Sequence, residues 1–225
     1  VTISFTDANP DTILRLAGSW LTDGYYDGVT IDVVAPVFDD RINFDGADTK
    51  VQITDAAAIQ NIFDGGGTLE IKINAASDGE GSIGRLFDKG SVWFLNVANE
   101  SGGLYRVQFT MGFSGTNGQW QIDNLDLSID KSHTIHIVYD SGNVVNTPLF
   151  YVDGQLVDSS TTVTPVGTRT TDVGSDLVIG NNAAQAFTFD GTLDEVRIWS
   201  DTRTLQEIFD ERDNELAGTE AGLAG

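Results

Sequence analysis

The sequence predicts an all-β fold, an antiparallel sandwich or barrel closed by one short helix. Three observations predict it. Short runs alternating apolar and polar residues recur along most of the chain, and clusters of Gly, Asp and Asn separate them. A helical period is confined to a short stretch near the C-terminal end. The 225 residues suit one large domain, which at this length buries roughly 70% of its unfolded surface. With no cysteine, the core must hold without a disulfide.

The first 36 residues read as a separate β segment or as strands that extend the sandwich. Runs 1–5 and 12–16 alternate like strands around a turn built on Asn9, Pro10 and Asp11, and a third run covers 29–34 before Pro36 interrupts the chain. The pattern of apolar strand, Gly18-Ser19-Trp20 and Asp23-Gly24-Tyr25 resembles the short β module that opens many phage virion and tail proteins. That resemblance implies an anchoring segment.

From residue 41 onward, strands are predicted over 41–44, 51–54, 68–73, 84–87, 92–97, 105–110, 119–122, 133–139, 149–152, 177–179 and 193–199. Each is bounded by turn residues. The strongest hairpin signal is Asp153-Gly154, between 150–152 and 155–157, because a two-residue turn with both φ positive favours this pair. In the last strand Val196 and Ile198 share one face while Arg197 and Trp199 share the other, so Trp199 is expected to face outward. One or two helical turns are expected over 55–62 with Asp55 as cap. Residues 204–212 carry a capping box, Thr204 with Glu207, and place Leu205, Ile208 and Phe209 on one face. The Gly/Ala/Glu stretch 217–225 reads as a flexible tail.

Charge bounds the function. The formal net charge is −22, from 34 acidic and 12 basic residues spread along the whole chain, which disfavours nucleic acid. It suits a soluble protein in salty surroundings or one binding calcium. No run of about 18 apolar residues occurs, so membrane insertion is not expected.

The turn and strand Phe189-Asp190-Gly191-Thr192-Leu193-Asp194-Glu195-Val196-Arg197-Ile198-Trp199, followed by Thr204 to Ile208, resemble the closing signature of laminin-G-like domains of the concanavalin A-like lectin/glucanase superfamily. Ile42-Asn43-Phe44-Asp45-Gly46 is similar to that family's opening strand and turn, His133 to Asp140 to its central strand, and Leu149 to Leu156 to its Tyr-Val-Asp-Gly hairpin. These landmarks follow the family's order. Two positions depart from it: Ser132 stands where members often place Trp, and no Trp lies near Ile73. The resemblance implies a concanavalin A-like antiparallel jelly-roll β-sandwich over 37–216, which mostly binds rather than catalyses.

It also implies a structural calcium ion where the opening turn meets the last strand, held by Asp45, the Gly46 carbonyl and Asp194, with Asp48 as a further ligand. The alternative is that Asp45 merely suits its Asp-Gly turn and that Asp194 pairs with Arg197 or Arg41. The superfamily's glucanases carry a Glu-x-Asp-x-(x)-Glu run, and none occurs here; Glu70 and Glu195 stand alone. His133 and His136 are three apart in one strand and so on opposite faces. No catalytic residue is assigned, and no enzyme is expected. Gly79-Glu80-Gly81-Ser82-Ile83-Gly84 has dinucleotide-loop spacing but leads into a strand, so it reads as a loop.

Glycan binding needs exposed aromatics and amides. Trp199, Trp120, Asn181 and Asn182 are the candidates, with loops 114–118 and 181–185 as a shallow edge. The expected function is a non-enzymatic surface protein, a phage virion decoration, head-fibre or tail-associated component. Its partners would be other virion or surface proteins, cell-surface glycans and, in a homo-oligomer, its own copies. The alternative is a carbohydrate-binding or adhesion module of a larger secreted bacterial protein. The location would be a virion surface or extracellular.

Overall fold

The computed structural model describes residues 3–4, 14–15, 41–123, 127–211, 214 and 216–225. The chain divides into two units, Val1–Asp39 and Asp40–Gly225. In the first, β1 (Ile3–Ser4) pairs antiparallel with β2 (Leu14–Arg15). The third expected strand, 29–34, lies outside the described residues, as does the remainder of the segment likened to virion proteins.

The second unit contains β3 (Ile42–Asp45), β4 (Val51–Ile53), β5 (Gly67–Ala75), β6 (Ile83–Lys89), β7 (Trp93–Ser101), β8 (Leu104–Met111) and β9 (Gly118–Ile122). It continues with β10 (Leu127–Ser128), β11 (Ser132–Tyr139), β12 (Leu149–Val152), β13 (Gln155–Val157), β14 (Ser159–Val163), β15 (Leu177–Ile179), β16 (Asp190–Trp199) and α1 (Leu205–Glu211). The larger sheet runs β14-β9-β8-β7-β6-β15-β4, with β10 also on β8; the smaller runs β13-β12-β11-β5-β16-β3. All described pairings are antiparallel. This is the sandwich that the strand spacing predicts, and β3 does lie beside β16.

Period-2 alternation places one set of side chains in the core. Leu69, Ile71 and Ile73 of β5 and Ile135, Ile137 and Tyr139 of β11 meet Leu95 and Val97 of β7, Val107 and Phe109 of β8, and Trp120 of β9. An aromatic cluster of Phe63, Trp93, Phe109, Trp120 and Tyr139 fills one region, with Phe63 5.3 Å from both Trp93 and Phe109. Trp93 Nε1 donates to buried Asp172 at 2.7 Å, which satisfies its one polar atom. Trp120 is therefore core rather than a surface platform, at 1% exposure.

Four sequence expectations are corrected. Only a 3-10 turn, Ala57–Ile59, forms in 55–62, and Asp55 does not cap it. Instead Asp55 accepts Lys89 Nζ and Gly174 N, both at 2.7 Å, which places a carboxylate beside a fully buried ammonium. On α1 the capping box forms, with Thr204 N donating to Glu207 Oε2 at 2.8 Å, but only Ile208 is buried; Leu205 and Phe209 are half exposed. Residues 217–225 are docked rather than loose. Ile198 N donates to Gly225 O at 2.6 Å, Ala224 N to Ile198 O at 2.7 Å, and Trp199 bridges to Leu223. Trp199 lies on the outward phase of β16 and yet is 0% exposed, its ring covered by the Arg203 guanidinium.

Candidate functional site

Asp45 ends β3, and its Oδ1 accepts the backbone N–H groups of Ala47 at 3.0 Å, Asp48 at 3.2 Å and Thr49 at 3.3 Å. These bonds, the Ala47 amide foremost, hold its carboxyl down at about 2. Gly46 supplies the positive φ (+69) of the turn, and the Asp190 side chain lies against its Cα. The β3–β16 register sets Asp190, not Asp194, opposite Asp45. Asp194 is four residues further, roughly 13 Å along a strand rising about 3.3 Å per residue. There it approaches Lys72 at 3.8 Å and accepts Glu195 N. The register thus sets Asp194 apart from Asp45 and Gly46. Among the described residues no three His, Cys, Asp or Glu side chains form a metal-holding group.

The glycan candidates turn out to be framework. Asn181 is fully buried; its Nδ2 donates to Thr188 Oγ1 at 2.7 Å and Thr49 O at 3.2 Å, and its Oδ1 accepts Asn182 N and Phe187 N. Asn182 Oδ1 accepts Ala186 N. Both shape the β15–β16 loop; Asn181 is closed to solvent and Asn182 is half-buried. Trp199 donates Nε1 to Glu70 at 3.2 Å, and the Arg203 guanidinium covers its ring at 4.0 Å. The other loop, 114–118, is tied to 166–169 through the Ser114–Thr168 bonds. Beside it, a cleft of about 320 Å³ is lined by Asp64, Ser141, Asn143, Thr168 and Arg169.

The outer faces of the two sheets differ. On the smaller sheet Glu70, His136, Arg197 and Trp199 are all buried, with Arg197 bonded to the carbonyl of Glu211 at the end of α1 and Trp199 covered by Arg203. Arg197 bonds Glu70 at 2.8 Å, Glu195, the Glu211 carbonyl and the Asn214 carbonyl. Burial pushes the Glu70 carboxyl up, but His136 at 3.6 Å, then Arg197 and Trp199, outweigh it and hold it below its ordinary value. A carboxylate so held is a poor proton donor, and Glu195 is spent on the same arginine.

On the larger sheet the outer face is polar: Phe94, Gln108, Gln119 and Gln121 are half open, while Arg85, Asp88, Asn96 and Thr110 are buried. One cross-strand row reads Arg85, Asn96, Gln108, Gln121, Ser160; the next reads Asp88, Phe94, Thr110, Gln119. The amides form a ladder: Asn96 Nδ2 to Gln108 Oε1 at 3.4 Å, Gln108 Nε2 to Gln121 Oε1 at 3.1 Å, and Thr162 Oγ1 to Gln119 Oε1 at 3.0 Å. At the β6 end the Arg85 guanidinium lies over Phe94 at 3.2 Å and faces Phe187 at 5.1 Å. Such a face offers donors and acceptors at fixed spacing beside an aromatic ring, the set that sugar hydroxyls and C–H faces require. Sequence reasoning missed these residues because it sought Trp and loop Asn. The available signal was the polar phase of 94–98, 104–111 and 118–122, which holds amides, hydroxyls and Arg106 but none of the 34 acidic residues.

The laminin-G-like family model described as the concanavalin A-like lectin/glucanases superfamily matches residues 45–209, well over half of the chain. The chain belongs to that superfamily. No curated protein sequence matches it. Similar solved structures include a putative carbohydrate binding protein from Bacteroides ovatus, with TM-score 0.57 and 18% identity over 82% of this chain and 49% of that one. This chain thus spans about half the length of that protein. The CBM40 of the Ruminococcus gnavus IT-sialidase, bound to α2,3 sialyllactose, has TM-score 0.57 and 16% identity over 76% of this chain and 95% of that one. Domain 4 of AbnA, a GH43 extracellular arabinanase from Geobacillus stearothermophilus, in complex with arabinotriose, has TM-score 0.52 and 14% identity over 76% and 75%. At these identities the likeness establishes the superfamily fold. Among the described residues no helix is long and apolar enough to cross a membrane.

Proposed function

We propose that this protein is a non-enzymatic carbohydrate-binding module that works outside the cell and holds a glycan on the outer face of its larger sheet. The observation that carries the reading is the Asn96–Gln108–Gln121 ladder beside Phe94, whose Gln108 and Gln121 side chains stay half open on the outer face of the larger sheet. The solved structures of carbohydrate-binding domains with the same fold support it. The virion reading rests on residues 1–36, of which only four are described, and the module reading is preferred to it.

Titration calorimetry against a panel of plant, algal and host glycans tests the proposal. The native protein should bind at least one saturably. Gln108→Ala with Gln121→Ala removes two ladder members, each worth roughly 0.5–1.5 kcal/mol if bonded to ligand, and should weaken binding about tenfold. Half-exposed polar substitutions of this kind change fold stability by only about 0.5 kcal/mol, so the thermal midpoint should hold. Unchanged affinity in the double variant would remove the face from the account.

A further inference from the structure

The larger sheet's outer face carries a cation whose bonding is incomplete. Arg85 is 8% exposed, and neither its Nε nor its Nη1 has a hydrogen-bond partner. The neighbouring carboxylate oxygen, Asp88 Oδ2, stands 3.9 Å from Nε, beyond hydrogen-bond reach, and is itself without a hydrogen-bond partner. The other Asp88 oxygen is taken by Ser91 N at 2.7 Å. Buried donors left unmade are rare in folded proteins, and a buried charge without full compensation is costlier still. The packing that creates this deficit is specific: Phe94 below, Phe187 on the far side, and Asn96 as the cross-strand neighbour, whose Nδ2 is a donor turned to other acceptors. Burial lowers the Arg85 pKa to about 10, opposed by Asp88, so the group remains a cation at neutral pH.

A second observation is independent of Arg85. The protein carries a net charge of −22, yet the outer phase of β7, β8 and β9 over 94–98, 104–111 and 118–122 has no carboxylate and does have exposed Arg106. Arg106 lies opposite Ala98, on the same face as Asn96 and Gln108. With Asp88 of β6 beside Arg85 and Asp123 beside Ser160, the charges on this face balance in an otherwise strongly acidic molecule.

We infer that the glycan this face takes is an acidic one, and that Arg85 receives a sugar carboxylate of the uronic or sialic acid type at the end of the amide ladder. The inference rests on the carbohydrate-binding reading above and names its ligand class. A planar carboxylate matches the fork of guanidinium N–H donors and would supply the acceptors that Nε and Nη1 lack. Phe187, half-buried on the β15–β16 loop, is the wall that yields on entry. Repulsion from the protein's overall charge is largely screened beyond about 8–10 Å in physiological salt, whereas a contact at a buried guanidinium is screened far less.

The test is calorimetry with polygalacturonate, alginate and sialyllactose as carboxylated probes, methyl-esterified pectin as the blocked polymer, carrageenan as the sulfated one, and arabinan and galactan as neutral ones. At least one carboxylated probe should bind, and for polygalacturonate methyl esterification should weaken binding at least tenfold. Arg85→Gln should lose at least tenfold toward the bound carboxylated probe while leaving the thermal midpoint equal or higher, because the variant removes an unsatisfied buried charge. Arg106→Gln, at an exposed position, should lose a smaller factor and serves if Arg85→Gln fails to fold. Binding confined to neutral or sulfated glycans, or undiminished in both variants, would overturn the acidic-ligand inference and leave the module reading standing. No binding to any probe would overturn both.

Discussion

The Asp45 carboxylate accepts three successive amide protons in the turn it opens, and these bonds depress its pKa from 3.8 to about 2. A carboxyl whose pKa is lower in the folded state stabilises the fold fully above its unfolded value, and that contribution is lost as pH falls through the folded value. The gap in thermal midpoint between native protein and Asp45→Ala should therefore stay constant from pH 7 to about 4 and narrow toward pH 2, as read by calorimetry across that range. A gap that stays wide at pH 2 would remove the carboxylate's charge from the explanation. The same residue shows what sequence conveys and what it withholds. The Asp-Gly turn is evident in the letters, and the adjacency of β3 and β16 is what the family resemblance implies. The register that sets Asp190 rather than Asp194 against Asp45 is fixed only by cross-strand bonding. Gly180 makes the complementary point: its φ is +74, and a Cβ there would fall into the Phe44 ring, a requirement the Ile179-Gly180-Asn181 motif does not reveal.

At the level of elements, β16 organises the smaller sheet. A register irregularity between Asp194 and Arg197 lets the strand present Arg197 and Trp199 to Glu70 while Ile198 stays in the core. The alternation of Ile198 with Arg197 and Trp199 was readable from period 2. That Trp199 is covered was not, because its cover includes the Arg203 guanidinium, which strand periodicity does not place over the ring. Strand β14 was also invisible, since its Ser/Thr run is mostly exposed and shows no apolar alternation. Glu70 ties β5, β11 and β16 together. Glu70→Ala would leave Arg197 without its buried carboxylate partner, and breaking a buried pair of this kind costs about 3–5 kcal/mol. The denaturant midpoint should fall accordingly, with the slope unchanged if only stability is lost. A loss below about 1 kcal/mol would mean that Glu195 and the Glu211 and Asn214 carbonyls suffice for Arg197.

Across the second unit, the two outer faces have opposite fates. The smaller sheet buries Glu70, His136 and Arg197, and the larger sheet leaves Phe94, Gln108, Gln119 and Gln121 half open between Arg85 and the β14 edge. Sandwich architecture followed from strand spacing and from the order of family landmarks, because hydrophobic alternation directly encodes which face is core. The binding face did not follow, because polar residues on the solvent phase of a strand look alike until register aligns them across neighbours. The most direct measurement is an NMR titration that follows the side-chain amide signals of Asn96, Gln108, Gln119 and Gln121 while a bound glycan is added. The expected result is that these four shift saturably with ligand, together with the backbone amides of β7, β8 and β9, while those of β11, β12 and α1 stay in place. Shifts centred on the cleft around Asn143 and Arg169, or on the smaller sheet, would contradict the assignment of the larger sheet as the glycan-holding face.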